Sequence, residues 1–252
     1  MIRNASDGKQ SGVANCEIAG RVTHLAVKRR SALTPQFSRP MESRRPMPFA
    51  AQHIRTARNH LRKSDPKMAK IIKAVGPFKA ETRRDRFTAL ARAIVYQQIS
   101  GKAAASIWDR LAELLQPATL DATSLRACSL EELRSAGISR QKGTYLKDLA
   151  DRVFDGDIQL NQLGRKTDED VIQVLTQVKG IGRWTAQIFL MFTLNRLDVL
   201  PVDDLGIKTA MKQAYNLDDL PDAKAMQALA EPWRPYATVA SWYLWRSLEV
   251  DW

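Results

Sequence analysis

Helix starts recur so regularly after residue 50 that they leave almost no room for a sheet. Ser64-Asp65-Pro66 opens a segment with Pro at its first turn, where the missing N–H costs nothing. It separates short helices predicted over 53–62 and 66–75. Asp85 stands before a segment with apolar Phe87, Leu90, Ile94 and Val95 at helical spacing. Ser100 precedes one with Ala104, Ile107, Trp108, Leu111 and Leu115 on one face. Ser129-Leu130-Glu131-Glu132 reads as a capping box, and Gly137 ends that helix. Further helices are predicted from about Lys142 to Phe154, 168–177 behind the cap Thr167, 183–194, 204–215, 222–231 and 235–249. Asp198–Val202 is a short extended link, and no alternating run is long enough for a sheet. The expectation is an all-α domain of about ten helices.

Composition narrows the function classes. The 252 residues carry 39 Lys plus Arg against 27 Asp plus Glu, a net +12 that attracts polyanions. Residues 1–46 hold nine of the cations and three of the acids, lack sustained periodicity, and read as a disordered basic extension. They have no continuous apolar core of a secretory signal, and Met41 and Met47 are both candidate starts. Residues 47–252 then form the folded domain. No apolar run reaches the roughly 18 residues of a membrane span. Cys16 and Cys128 are too few for a disulfide scaffold or a four-cysteine zinc or iron–sulfur site. His24, His53 and His60 all lie in the first quarter, which argues against a histidine-based zinc enzyme.

The most informative segment is Val178-Lys179-Gly180-Ile181-Gly182-Arg183-Trp184-Thr185-Ala186. It joins two amphipathic helices through a hairpin with two glycines. Amides at the start of the second helix present a positive dipole end to phosphate, a contact that reads no sequence. Twenty residues after Trp184 lies Asp203-Asp204 at a predicted helix start. One of this pair is expected to cap that helix, the usual task of an aspartate there.

At this point the chain resembles the helix–hairpin–helix (HhH-GPD) DNA glycosylase superfamily, and within it the AlkA-type 3-methyladenine DNA glycosylase II branch. The resemblance extends to Ala93-Ile94-Val95-Tyr96-Gln97-Gln98-Ile99-Ser100, to the segment Leu133–Lys142, to Leu200-Pro201-Val202-Asp203-Asp204-Leu205-Gly206-Ile207-Lys208 and to Trp233-Arg234-Pro235-Tyr236-Ala237. It implies two helical lobes with a DNA-binding cleft between them, the helix–hairpin–helix at about 168–194. The helices before residue 80 are expected to pack with the C-terminal ones. Hairpin and Asp204 should border the cleft.

The resemblance also assigns roles. Asp204 becomes the catalytic carboxylate, leaving Asp203 as cap or supporting partner. Trp184 and Trp242 match aromatic base-pocket positions, although Ile188 stands where the family's best-known pattern has an aromatic. Gln98, with Gln97 beside it, takes the place of the wedge that fills a vacated base stack. Lys179, Gly180, Ile181, Gly182 and Arg183 would contact DNA, with Arg140 and Lys142 in support. The carbonyls of Thr176, Val178 and Gly180 would hold a monovalent cation, the one cofactor implied; no iron–sulfur cluster is expected. Trp184 stands where bifunctional relatives have a Schiff-base lysine, so strand cleavage is not expected.

A lone carboxylate suits this chemistry, because glycosidic cleavage passes through an oxocarbenium-like state. A base alkylated on a ring nitrogen is cationic and leaves without a strong general acid. The leading reading is a monofunctional glycosylase releasing alkylated purines such as 3-methyladenine from damaged double-stranded DNA, acting as a monomer in a bacterial cytoplasm. The alternatives are a glycosylase for another lesion, hypoxanthine or uracil, and a non-catalytic helix–hairpin–helix DNA-binding protein. An acid kept beside a phosphate-binding hairpin repels DNA and favours catalysis.

Overall fold

The computed structural model describes residues 49–252. The basic extension expected over 1–46 and both candidate starts lie outside them. The described residues form twelve α-helices and two 3-10 turns, with no strand. In chain order they are α1 (Ala51–Ser64), α2 (Pro66–Val75), α3 (Arg86–Tyr96), α4 (Gly101–Leu114), α5 (Ala122–Ala127), α6 (Leu130–Ser135), α7 (Arg140–Phe154), α8 (Asp168–Leu175), α9 (Arg183–Phe192), α10 (Leu205–Tyr215), α11 (Ala223–Ala230) and α12 (Ala237–Ser247). The 3-10 turns span Leu160–Arg165 and Glu231–Trp233. No helix among the described residues is long and apolar enough to cross a membrane.

The caps fall where the side chains dictate. Asp85 accepts from the Thr88 amide at 2.6 Å, and Ser129 and Glu132 satisfy each other's backbone in a capping box. Helix α5 escaped the sequence reading because six residues are too few to show a period; its Asp121–Ser124 box marks it instead. Helices α8 and α9 stop two residues short of the predicted ends, and α12 begins two residues later and ends two earlier. Such terminal shifts are what fraying ends produce.

Two apolar cores define two lobes. One gathers Leu90, Ile94, Leu133, Leu146, Leu175 and Leu190 from α3, α6, α7, α8 and α9. The other gathers Leu61, Ile72, Met211, Trp233 and Leu244, so α1 and α2 pack with α10, α12 and the second 3-10 turn. The second lobe is thus discontinuous in sequence, as expected. Each of these side chains contributes about 1.5–3 kcal/mol on burial. A buried carboxylate fastens the two ends of the chain. Asp65 caps α2 through Lys67 and Met68 amides, and its other oxygen accepts from Trp233 Nε1 at 2.8 Å and from the Tyr215 hydroxyl. Burial, and then the Asp65 carboxylate, push the Tyr215 phenol far above its ordinary pKa. The Trp245 ring packs against both cores, so it sits where the lobes meet.

Candidate active site

Helices α8 and α9 are joined by residues 176–182. Gly180 has φ +81°, a left-handed conformation open to glycine, and a Cβ there would fall 2.1 Å from Tyr145 Cδ2. The hairpin therefore lies directly on the Tyr145 ring of α7. From the same helix, Asp148 accepts from the Lys179 amide at 2.9 Å and lies 3.7 Å from Lys179 Nζ. Burial raises the Asp148 pKa, but the Lys179 amide and Arg152 more than reverse this, leaving it below the ordinary carboxylate value. Arg183 makes a two-pronged contact with Glu169 at 2.8 and 2.7 Å. The amides of Gly180, Gly182, Arg183 and Trp184 have no acceptor among the described residues. They are the hairpin donors open to an anion.

The turn after α3 is clamped to this hairpin. Gln97 Nε2 donates to the Gly180 carbonyl at 2.8 Å. Lys142 Nζ donates to the carbonyls of Val95 and Gln97 at 2.8 and 2.7 Å, closing the C-terminus of α3. Burial pulls the Lys142 ammonium below the usual lysine pKa. Gln97 and Lys142, expected at DNA, thus have a structural engagement in this conformation. Gln98 is exposed, with φ +56°, a conformation a side chain rarely adopts. Its neighbour Ile99 is 37% exposed. Arg140 is exposed at the first turn of α7, outside the cleft lining.

A cleft of about 1100 Å³ runs along this surface. Gln97, Gln98, Gly180, Gly182, Lys142 and Trp184 line it, and Trp242 enters from the other lobe. Trp242 stands on Phe78, with ring centroids 4.6 Å apart. Ile188 lines the cleft too, and the aromatic surface comes instead from Tyr96, Tyr145, Phe189 and Phe192, which the sequence reading did not single out.

Asp204 stands behind Trp184 rather than in the cleft wall, and is 8% exposed. Its Oδ2 accepts from Trp184 Nε1 at 2.8 Å. Its Oδ1 accepts from the Ile207 amide and from Trp245 Nε1, both at 2.8 Å. This corrects the division of labour expected for the doublet: Asp204 is itself the cap of α10, and Asp203 is exposed. The positive end of α10 and three N–H donors face one carboxylate. A carboxylate offers about four lone-pair directions. Oδ1 has filled its two, and Oδ2 retains one. Trp245 was missed by the sequence reading; its place three residues after Trp242, on the same side of α12, was the available signal. Gly206 leaves room for the clasp, since a Cβ there would lie 3.1 Å from both Asp204 Oδ1 and Trp245 Cδ1, a tight contact that would press on both partners.

The carbonyls proposed for a cation are partly engaged. Val178 accepts from the Ile181 amide at 3.0 Å and Gly180 from Gln97. Each carbonyl keeps a second lone pair, and the three remain compatible with a monovalent ion.

A two-glycine hairpin between packed helices, with open amides beside an aromatic cleft, defines a helix–hairpin–helix fold of the nucleic-acid-binding kind. Residues 91–235 match the HhH-GPD superfamily base excision DNA repair protein family. A DNA-3-methyladenine glycosylase of Schizosaccharomyces pombe is 33% identical over 196 residues, covering 76% of this chain and 86% of the relative. The solved structure of the S. pombe 3-methyladenine DNA glycosylase in complex with abasic DNA superposes with TM-score 0.69 at 32% identity, covering 77% of this chain and 97% of that one. A Bacillus halodurans DNA-3-methyladenine glycosidase gives TM-score 0.68 at 35% identity, covering 76% and 88%. The chain belongs to the HhH-GPD superfamily of base excision DNA repair proteins.

Proposed function

We propose that this chain is a monofunctional DNA glycosylase that hydrolyses the N-glycosidic bond of alkylated purines such as 3-methyladenine in double-stranded DNA. The observation that carries the reading is the Asp204 clasp. A carboxylate oriented by Trp184, Trp245 and the start of α10 keeps one Oδ2 lone pair unfilled directly behind Trp184, whose ring lines the aromatic cleft. The names of its relatives, DNA-3-methyladenine glycosylases, point to the same substrate class.

The chemistry follows from these groups. The C1′–N bond breaks and its electron pair neutralises the cationic base, which leaves. Oδ2 of Asp204 faces the positive charge that develops on the sugar. Water adds at C1′ and gives its proton to the carboxylate or to solvent. The faces of Trp184 and Trp242 would attract a cationic base, at about 0.5–2 kcal/mol for such a contact. An indole at position 184 offers no amine to the sugar, so an abasic site remains and the strand stays whole. Gly180, Gly182, Lys179 and Arg183 hold the backbone, Gln98 fills the stack, and Arg140 adds charge; Ile181, expected at DNA, is buried in the core with its amide donated to the Val178 carbonyl, and it anchors the hairpin instead. A monovalent cation held by the Thr176, Val178 and Gly180 carbonyls would add positive charge towards phosphate. The protein acts as a monomer in a compartment that holds DNA.

The test is incubation with methylated duplex DNA, identification of released bases by chromatography, and inspection of strands before and after alkali. Release of 3-methyladenine with breaks only after alkali supports the proposal. Breaks without alkali contradict the monofunctional assignment, and no released alkylated base contradicts the substrate.

A further inference from the structure

The cleft does not account for where this protein keeps its positive charge. Residues 76–252, which include the hairpin, the cleft walls and Asp204, hold 23 Lys/Arg and 23 Asp/Glu. Residues 51–75, helices α1 and α2, hold seven Lys/Arg and one Asp. That Asp is Asp65, buried and accepting four hydrogen bonds inside the lobe. The whole net charge of the described residues therefore sits on two helices.

The cations on these helices are uncompensated. Arg55, Arg62, Lys63, Lys70 and Lys73 are exposed, with Arg58 and Lys67 half-buried. None of the seven enters a salt bridge with a described residue, whereas seven of the 23 in residues 76–252 do. Residues 1–48 are themselves net basic, with nine Lys/Arg against three acids. Local electrostatics oppose the arrangement. Arg55–Arg58, Arg58–Arg62, Lys67–Lys70 and Lys70–Lys73 are like-charge pairs three or four apart, each unfavourable by some tenths of a kcal/mol. Lys67 lies in the first turn of α2, the wrong end of a helix for a cation. Only Arg62, Lys63 and Lys73, in last turns, suit the helix dipole.

The partner's chemistry follows from what the surface lacks. Helices α1 and α2 expose no large apolar side chain. Protein interfaces are anchored by such residues. A cationic face without them suits a regular polyanion, whose affinity comes from neutralised phosphates. A short run of chain joins the end of α2 to the cleft. From the end of α2 the chain runs through the exposed Lys79 to Ala80, Glu81 and Arg83, which line the cleft.

We infer that the α1–α2 face is a second, sequence-independent contact for the backbone of duplex DNA, one that sets how tightly undamaged DNA is held and leaves the bond-breaking step alone. The inference rests on the DNA-repair family and not on the lesion.

The test compares wild type with the triple variants Lys63→Gln/Lys70→Gln/Lys73→Gln and Lys63→Glu/Lys70→Glu/Lys73→Glu. All three positions are exposed, and helicity and thermal midpoint establish that the variants fold. The first readout is the slope of log affinity against log salt for lesion-free duplex. The second is the single-turnover rate of base release with enzyme saturating. Three lost phosphate contacts should reduce the slope by about 2.7, with the release rate within about twofold of wild type. An unchanged slope in both variants overturns the inference and returns the face to solvent or to an acidic protein. A release rate that falls along with affinity at saturation also overturns it, because the face would then belong to the catalytic complex. A wild type that releases no alkylated base contradicts the proposed function and leaves the slope to be read by itself.

Discussion

Trp245→Phe isolates the clasp on Asp204. The substitution keeps an aromatic ring between the two cores and removes one group, the Nε1–H that reaches Asp204 Oδ1 at 2.8 Å. A hydrogen bond to a charged acceptor contributes about 1.5–3 kcal/mol. Ile207 and Trp184 still hold the carboxylate, so the loss in stability should sit near the low end, about 1.5 kcal/mol. Oδ2 then has lost half of the fixation on its sister oxygen. If that fixation works in the transition state, each 1.36 kcal/mol is tenfold in rate. Single-turnover release of an alkylated base should fall on the order of tenfold, read with enzyme in excess so that product release does not mask chemistry. Trp233→Phe is the matched control. It deletes the same kind of bond, Trp233 Nε1 to Asp65 Oδ2 at 2.8 Å, on a different buried carboxylate in the core that α10 and α12 share. It should lower the denaturant midpoint and leave the release rate per folded molecule unchanged. A Trp245→Phe protein that is less stable yet releases base at the wild-type rate would refute the reasoning and make Trp245 a packing residue.

Two further perturbations address the hairpin. Gly180→Ala combines a left-handed backbone, costing roughly 1–2 kcal/mol, with a Cβ 2.1 Å from the Tyr145 ring. Thermal denaturation should show a loss of several degrees, with weaker DNA binding as the hairpin is displaced, and adding Tyr145→Ala should recover part of the affinity; no recovery would mean the clash is not the cause. Asp148→Asn tests the acid limb of stability. The folded pKa of Asp148 is depressed, so its contribution is fully present above the ordinary carboxylate pKa and is lost as pH falls through the lower folded value. Urea midpoints from about pH 7 to about pH 3 should show the variant less stable at neutral pH with the gap closing in acid; a gap that is independent of pH would contradict the assignment.

Much of the fold was legible because helices announce themselves locally. Asp85, Ser129, Thr167 and Asp222 each have a side-chain oxygen that accepts from a backbone amide three residues ahead, a pattern confined to four residues. The hairpin was legible for the same reason. What sequence could not carry was partnership across the chain. Asp204 and Trp245 lie 41 residues apart, and Gln97 reaches Gly180 across 83. The Asp203-Asp204 doublet shows the limit plainly. One acid was expected to act, leaving the other as cap or supporting partner. Capping uses Oδ1 alone and leaves Oδ2 for Trp184, so one residue fills both descriptions. Lys142 shows the converse. Its charge suggested phosphate, yet α3 ends within its reach with carbonyls to satisfy.

The most direct measurement is single-turnover excision from a duplex carrying one alkylated purine, comparing wild type with Asp204→Asn, with affinity for an abasic-site duplex measured alongside. Asn keeps the cap on α10 and a side-chain oxygen, and removes the negative charge. The account predicts that release is lost by orders of magnitude while affinity for the abasic duplex is kept. Equal release by the variant would contradict it, and would transfer the search for the catalytic carboxylate to Asp203.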